Sequence, residues 1–293
     1  MASTATAART FLAFHHDAKL YKLPTLVTAV HAFSALEEAN RLLFKKKNDD
    51  GDADDHAHHV VVTEKTIFHP QGGGQPSDVG SMTGPSGAVF DVLAVRMDAV
   101  RDGQVLHFGR FTGTGASPTT TTTTPPSPFQ PGEEVTQSID QEKRLLYSRL
   151  HTAGHVLGAA VRHLCEASIP GFDELKASHF PGSAACEFAG LLEGKWKPAI
   201  QEKVDAYIAA ALPVEIEWWD EDEFRRRGLE RLIPGGDGLG LAPGDKFRVV
   251  NIVGAEVYPC GGTHVDTTDQ CGETKVTKIS RSKGQSRVSY TVV

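Results

Sequence analysis

Along the second half of the chain the apolar positions change period. Leu146, Leu150, Ala153, Leu157, Val161 and Leu164 recur every three or four residues, which predicts an amphipathic helix behind Asp140, a good N-cap. A second helix fits Trp196 to Ala211, with Ile200, Val204 and Tyr207-Ile208 turned inward. Further on the period falls to two. Val214, Ile216 and Trp218 oppose Glu215 and Glu217, and Val288, Tyr290 and Val292 oppose Arg287, Ser289 and Thr291. Strands are expected near Phe247–Val253 and Thr274–Ile279, on either side of a cysteine-containing turn. The first half reads as β-rich: Val60-Val61-Val62 is a short strand, and Asp91 to Met97 and Gln104 to Phe108 flank an Asp102-Gly103 hairpin signal. The fold class expected is α+β: an N-terminal β-rich, barrel-like domain, then an α/β sandwich with helices packed on a mainly antiparallel sheet.

Two stretches break these patterns. Lys45 to His59 runs from Lys-rich to Asp-rich and ends in His56, His58 and His59; Gly113 to Gly132 is dominated by Thr119–Thr124 and prolines. Both read as low-complexity inserts, and the second places a domain boundary between residues 1–132 and 133–293. At 293 residues the chain has room for two domains, and 40% hydrophobic with 23% charged residues is ordinary for a soluble protein. No apolar run approaches the ~18 residues of a membrane span, and no secretory signal opens the chain, so a cytoplasmic protein is expected. The oligomeric state stays open, with a monomer favoured.

Charge and cysteine usage change this picture locally. The net charge of −7 argues against a nonspecific nucleic-acid binder, but five of the acids are Asp49, Asp50, Asp52, Asp54 and Asp55 in the first insert. Between Gly272 and Val293, Lys275, Lys278, Arg281, Lys283 and Arg287 face Glu273 alone. That leaves a local basic surface or a solvated strand edge. Four cysteines do not make a disulfide scaffold: Cys165 and Cys186 follow apolar patterns, and Cys271 sits in a turn.

Cys260 is different, because His264 follows it in Cys260-Gly261-Gly262-Thr263-His264, and His151 and His155 stand four apart in the first helix. Two histidines at that spacing share one helical face. Three imidazoles and a thiolate suit tetrahedral zinc better than magnesium or calcium, which take oxygen. A metalloprotease of the His-Glu-x-x-His type is unlike this chain, since Thr152 stands where the glutamate would act as base. Whether the zinc is structural or reactive is open on these grounds, because four protein ligands leave no vacancy.

The other constellation runs from Thr66 to Gly80 and contains Gly72-Gly73-Gly74-Gln75. Three glycines let a backbone approach a ligand closely, and Gln75 ends the run in an amide that both donates and accepts. It has neither the Gly-Lys-Ser/Thr end of a phosphate loop nor the spacing of a dinucleotide fingerprint.

Taken in order, Gly-Gly-Gly-Gln-x-x-Asp-x-Gly with Thr66 before it, His-Thr-Ala-x-His and Cys-Gly-Gly-Thr-His-Val resemble the editing region of alanyl-tRNA synthetase, and more closely the free-standing AlaX proteins. The resemblance runs with gaps from about Tyr21 to Val293. It implies hydrolysis of mischarged tRNA for alanine, above all seryl-tRNA, with glycyl-tRNA as a second candidate. It puts zinc on His151, His155, Cys260 and His264, and an amino-acid pocket at Thr66 and Gln75. Departures are the two inserts, Leu150 before the first histidine, and His69. No aminoacylation region precedes residue 60, so a free editing factor of intermediate length is expected.

The chemistry is consistent with that implication. Zinc can provide a nucleophile at neutral pH and polarise an ester carbonyl. If His264 stays bound, water must enter as a fifth ligand, or the metal must hold the substrate's amino or ribose group; the residues do not choose. The partner expected is the acceptor end of mischarged tRNA, with Arg144, Arg149, Lys278, Arg281, Lys283 and Arg287 as phosphate contacts. Competing readings are an editing factor for seryl-tRNA of threonine, and a noncatalytic tRNA-binding zinc protein.

Overall fold

A computed structural model describes residues 9–44, 58–114, 128–235 and 246–293. The chain divides into two compact units, Met1–Gln71 with Ser77–Lys143, and Gly72–Pro76 with Arg144–Val293. None of the helices among the described residues is long and apolar enough to cross a membrane.

The first unit holds β1 (Phe11–Leu12), β2 (Lys22–Ala32), a short helix α1 (Glu38–Leu42), β3 (His59–Thr63) and β4 (Lys65–Thr66). After these come β5 (Gly80–Thr83), β6 (Ala88–Met97), β7 (Val105–Thr114) and β8 (Glu134–Ile139). Six strands close into a barrel in the order β2-β3-β7-β6-β5-β8. The long β2 makes closure possible, because its first half pairs antiparallel with β8 and its second half with β3. A closed ring leaves no unpaired edge. Val27, Val61, Met82, Phe90, Val92, Val95, Phe129 and Val135 are buried together as its core. On β6 the buried positions skip from Val92 to Val95, where a bulge against β7 shifts the alternation by one residue.

The barrel-like expectation therefore holds, with local differences. The expected Asp102-Gly103 turn is the end of a longer loop, Asp98 to Gln104, in which Asp98 Oδ1 accepts the amides of Val100 and Arg101. Of the first insert, residues 45–57 lie outside the described residues; His58 stacks on Phe108 at 4.9 Å and His59 begins β3. Of the second, residues 115–127 lie outside them, and it joins two strands of one barrel rather than two units. Phe129, inside that stretch, is buried in the core because its aromatic area fills space beside Phe90 and Phe111.

Several polar groups sit deep in this unit, His107 among them. His107 is fully buried; its Nδ1–H donates to the Val61 carbonyl at 2.9 Å, so Nε2 accepts from the Thr66 hydroxyl at 2.8 Å. Thr66 Oγ1 in turn accepts the Phe68 amide at 3.0 Å, and Gln137 Oε1 accepts the Ile67 amide at 2.9 Å.

In the second unit, α2 (Gln141–Cys165) is followed by β9 (Asp173–Ser178), β10 (Ala185–Ala189), α3 (Lys197–Ala209), β11 (Val214–Trp219) and α4 (Glu221–Arg226). Then come β12 (Phe247–Ile252), β13 (Glu256–Pro259), β14 (Thr274–Ser282) and β15 (Gln285–Val292). Two antiparallel sheets result, β14-β15-β10-β9 and β11-β12-β13. Both helices appear where the periodicity put them, and Asp140 Oδ1 caps the first by accepting the Lys143 amide at 3.0 Å. Leu150, Val156, Leu157, Ala160 and Val161 of α2 share a core with Ile200 and Val204 of α3 and Phe188, Val250 and Val288 of the sheets.

The alternation expected on β11 does not hold: Ile216 and Trp218 are 38% and 37% exposed. This strand lies at a sheet edge, and only its ends reach a core, Val214 in the main cluster and Trp219 against Phe224 and Val249. Strand β13, which carries the chain into Cys260, had no signal of its own.

His107 makes barrel stability depend on pH. Burial lowers its pKa from 6.5 to about 4, with the Val61 carbonyl acting in the opposite sense. The native state therefore binds the neutral ring, and its contribution is complete above pH 6.5 and is lost as pH falls toward 4, by up to roughly 3 kcal/mol. Urea unfolding should show lower stability at pH 5 than at pH 7, and a His107→Gln variant should lose less over the same interval.

Candidate metal centre

Helix α2 presents His151 and His155 one turn apart, 1% and 9% exposed. Cys260 and His264 come from the loop after β13. One ligand-type atom from each of the four lies within 4.8 Å of all the others. Cys260 Sγ is 3.4 Å from His151 Nε2 and 3.5 Å from His264 Nε2. A tetrahedral zinc with ordinary Zn–N and Zn–S bonds sets an N-to-S edge of about 3.5 Å, so these separations fit that ion.

The hydrogen bonds fix which nitrogen each ring turns inward. His151 Nδ1–H donates to Gln75 Oε1 at 2.7 Å, and His264 Nδ1 is hydrogen-bonded to Thr152 Oγ1 at 3.1 Å. In both rings Nε2 is left facing the thiol. His155 Nδ1 is buried with no hydrogen-bond partner among the described residues, the kind of polar atom whose burial a cation offsets. Burial, then the nearby His179 and Arg248, hold the His155 pKa well below its ordinary value, which keeps it a neutral ligand. The Cys260 thiol is pushed up by burial, against which the Gly262 amide and the Arg248 guanidinium act. A divalent cation would reverse that balance and hold the thiolate.

Several features outside the four side chains bring these segments together. Arg248 donates to the Cys260 carbonyl, and the Cys260 amide donates back to the Arg248 carbonyl at 3.2 Å, which ties the loop to β12. Arg162, near the end of α2, meets Glu166, Asp173, Glu174 and Glu256, so the helix is linked to β9 and β13. Gly154 lies in α2 where an added Cβ would stand 2.4 Å from His179 Cε1 and 2.7 Å from Tyr290 Oη.

His179 is the residue that sequence reasoning missed. It is 2% exposed, stacks on His151 with ring centroids 4.3 Å apart, and donates from Nδ1 to Tyr290 Oη at 2.7 Å. Tyr290 donates onward to the Leu150 carbonyl at 2.8 Å. A lone histidine in Ser178-His179-Phe180 carries no spacing signal, so no pattern could have found it.

The two expected pocket residues stand in different settings. Gln75 belongs to the same compact unit as the four metal-type side chains and is fully buried. Its Oε1 also accepts the Thr263 amide at 2.9 Å, and its Nε2 donates to Thr263 Oγ1 at 2.9 Å. Thr66 belongs to the barrel unit, fully buried, with its hydroxyl proton directed to His107.

The basic residues proposed for phosphate contact divide sharply. Arg144 is 1% exposed and falls on the inward side of α2. Arg149 donates to the backbone carbonyls of Cys271 and Val293 at 3.1 and 2.7 Å, and thereby ties α2 to the turn at Cys271 and to the end of β15. Arg287 pairs with Glu187 at 2.8 Å. Lys278, Arg281 and Lys283 are exposed on the β14–β15 hairpin. Its tip, Lys283-Gly284, has φ of 50° and 79°, the left-handed pair of a tight hairpin turn.

An α+β architecture in which one unit is a closed barrel and the other carries a histidine–cysteine cluster defines a class that the comparisons make specific. Residues 247–289 match the family model described as the threonyl and alanyl tRNA synthetase second additional domain. The chain is 30% identical over 236 residues to the alanyl-tRNA editing protein AlaX-M of Methanosarcina barkeri, covering 80% of this chain and 88% of that protein. Its similarity to AlaX-L of Pyrococcus horikoshii is 30% over 237 residues, 79% of this chain and 50% of the relative. An alanine–tRNA ligase of Methanosphaera stadtmanae is 29% identical over 241 residues, 79% of this chain but 24% of the ligase. The chain thus spans only about a quarter to a half of the latter two relatives. It belongs to the AlaX family of alanyl-tRNA editing proteins.

The close seat of His179 against α2 gives a direct check on this packing. Gly154→Ala puts a methyl within 2.4–2.7 Å of ring and hydroxyl atoms of two buried side chains, and should destabilise the protein by about 1–3 kcal/mol, read from its denaturant midpoint.

Proposed function

We propose that this protein is an aminoacyl-tRNA hydrolase that clears mischarged tRNA for alanine in trans, seryl-tRNA chiefly and glycyl-tRNA as a second substrate. The observation that carries the reading is the convergence of His151, His155, Cys260 and His264, with two of the rings already turned inward by Gln75 and Thr152. Family membership supports it. Zinc held by these four residues would supply Lewis acidity to an ester carbonyl and a means of activating water near neutral pH.

The protein's own residues account for selectivity. A pocket that fits alanine rejects an extra hydroxyl only about a hundredfold, whereas a site built to hydrogen-bond that hydroxyl can discriminate by up to ~10⁴. Thr66 Oγ1 gives its proton to His107 and one lone pair to the Phe68 amide, so its second lone pair is the one left to accept from a seryl hydroxyl. His107 sets that polarity by holding the hydroxyl proton. The exposed Lys278, Arg281 and Lys283 are the side chains we assign to tRNA phosphates, near the acceptor end.

Purified protein incubated with seryl-, glycyl- and alanyl-tRNA for alanine should release serine, spare alanine, and stop when a chelator removes the metal. Seryl-tRNA for threonine serves as the comparison substrate. Inactivity of the zinc-loaded protein on every mischarged tRNA would overturn the reading in favour of a noncatalytic tRNA-binding protein. Thr66→Val should slow serine clearance by roughly three- to tenfold, the range of one neutral hydrogen bond, and leave zinc content unchanged. Parallel loss of zinc and activity would remove Thr66 from substrate sensing.

A further inference from the structure

The side-chain carbonyl of Gln75 is not disposed like that of a residue waiting for a ligand. Its Oε1 accepts from His151 Nδ1–H at 2.7 Å and from the Thr263 amide at 2.9 Å, which occupies both lone pairs. Its Nε2 donates to Thr263 Oγ1 at 2.9 Å, and Ser148 Oγ donates to the same hydroxyl at 2.8 Å. The side chain is fully buried. Within its own compact unit, therefore, the Gly72–Pro76 segment binds at once to α2 through His151 and to the cysteine loop through Thr263.

The glycine beside this contact has a matching constraint. A Cβ on Gly262 would lie 2.2 Å from His151 Cε1 and Nδ1 and 2.7 Å from Gln75 Oε1. The backbone of the Cys260–His264 loop thus presses directly on the hydrogen bond between Gln75 and His151. Thr152 performs the equivalent task for His264, and it comes from the ligand helix itself. Gln75 lies 76 residues from the ring it orients.

We propose that Gln75 is a positioning residue of the metal centre: its side-chain carbonyl locks the His151 ring with Nε2 toward the ion, so the glycine loop sets metal affinity. A substrate hydroxyl that sought Gln75 Oε1 would have to displace the His151 or Thr263 bond. Hydrogen bonds from an outer residue to a ligating histidine fix its tautomer and orientation, and their loss commonly lowers metal affinity 10–100-fold. This inference rests on the metal reading of the four-residue cluster and adds a role that reading does not contain.

The test is zinc affinity, measured by competition with a chromophoric chelator, on the whole chain and independently of any tRNA. Gln75→Met, similar in size but without the acceptor, and Gln75→Asn, whose carbonyl is drawn back by one methylene, should each bind zinc ~10–100-fold more weakly than wild type. Gln75→Glu restores an acceptor for His151 Nδ1–H and should recover most of the affinity. That recovery separates positioning from general damage, and the Asn and Glu variants suffice if the Met protein does not fold. Replacement of zinc by cobalt should give an altered visible absorption spectrum in the Asn variant and a near-wild-type one in the Glu variant. Wild-type affinity in both Asn and Met proteins, with unchanged cobalt spectra, would overturn the proposal and leave the deacylase reading intact. Failure of wild type to take up zinc would overturn both.

Discussion

The hydrogen bonds of Gln75 to His151 and to Thr263 join three stretches of chain that are far apart in sequence, and the geometry of the candidate centre depends on them. A helix face supplies two imidazoles, a loop after a short strand supplies a thiol and a third imidazole, and the glycine segment holds one imidazole in register with the loop. None of these pieces would be rigid alone. The loop is short of regular structure, and a histidine ring on a helix can rotate about its side-chain bonds. The polar contacts around Thr263 remove that freedom. Because they are buried, each one lost would leave an unpaired donor or acceptor, which makes the arrangement cooperative.

Close approach is the second requirement, and small residues provide it. Gly154 admits His179 and Tyr290 against α2, while Gly262 admits the His151 ring against the loop backbone. An apolar core lies in the same unit, with Leu157, Ala160, Val161, Phe188 and Val250 buried together. Such surroundings raise the pKa of a thiol and lower that of an imidazole, as Cys260 and His155 show. A cation is the group that reconciles a buried thiol with three buried imidazoles, since it favours the thiolate and the neutral rings together.

The barrel unit uses the same device for a different purpose. His107 is buried in neutral form and directs the Thr66 hydroxyl, and Gln137 holds the adjacent backbone. The result is one hydroxyl whose donor and acceptor directions are both fixed. In a protein proposed to tell serine from alanine, that fixed polarity is worth more than a freely rotating hydroxyl, because a wrong substrate cannot be accommodated by turning the group around.

The chain's own pattern was sufficient for the parts of this protein that obey local rules. The spacing of Leu146 through Leu164 and the cap at Asp140 place α2; alternation places β15; donor chemistry picks out His151, His155, Cys260 and His264. Strand β13, the bulge on β6 and the exposure of Ile216 and Trp218 depend on which neighbours a strand finds across a sheet, and no window of sequence contains that. The same holds for the burial of Arg144 on α2. Only the tertiary structure could assign Gln75 to His151 and His179 to the stack beside it. Such contacts arise when segments distant along the chain are packed together, and a hydrogen bond between them leaves no periodicity behind.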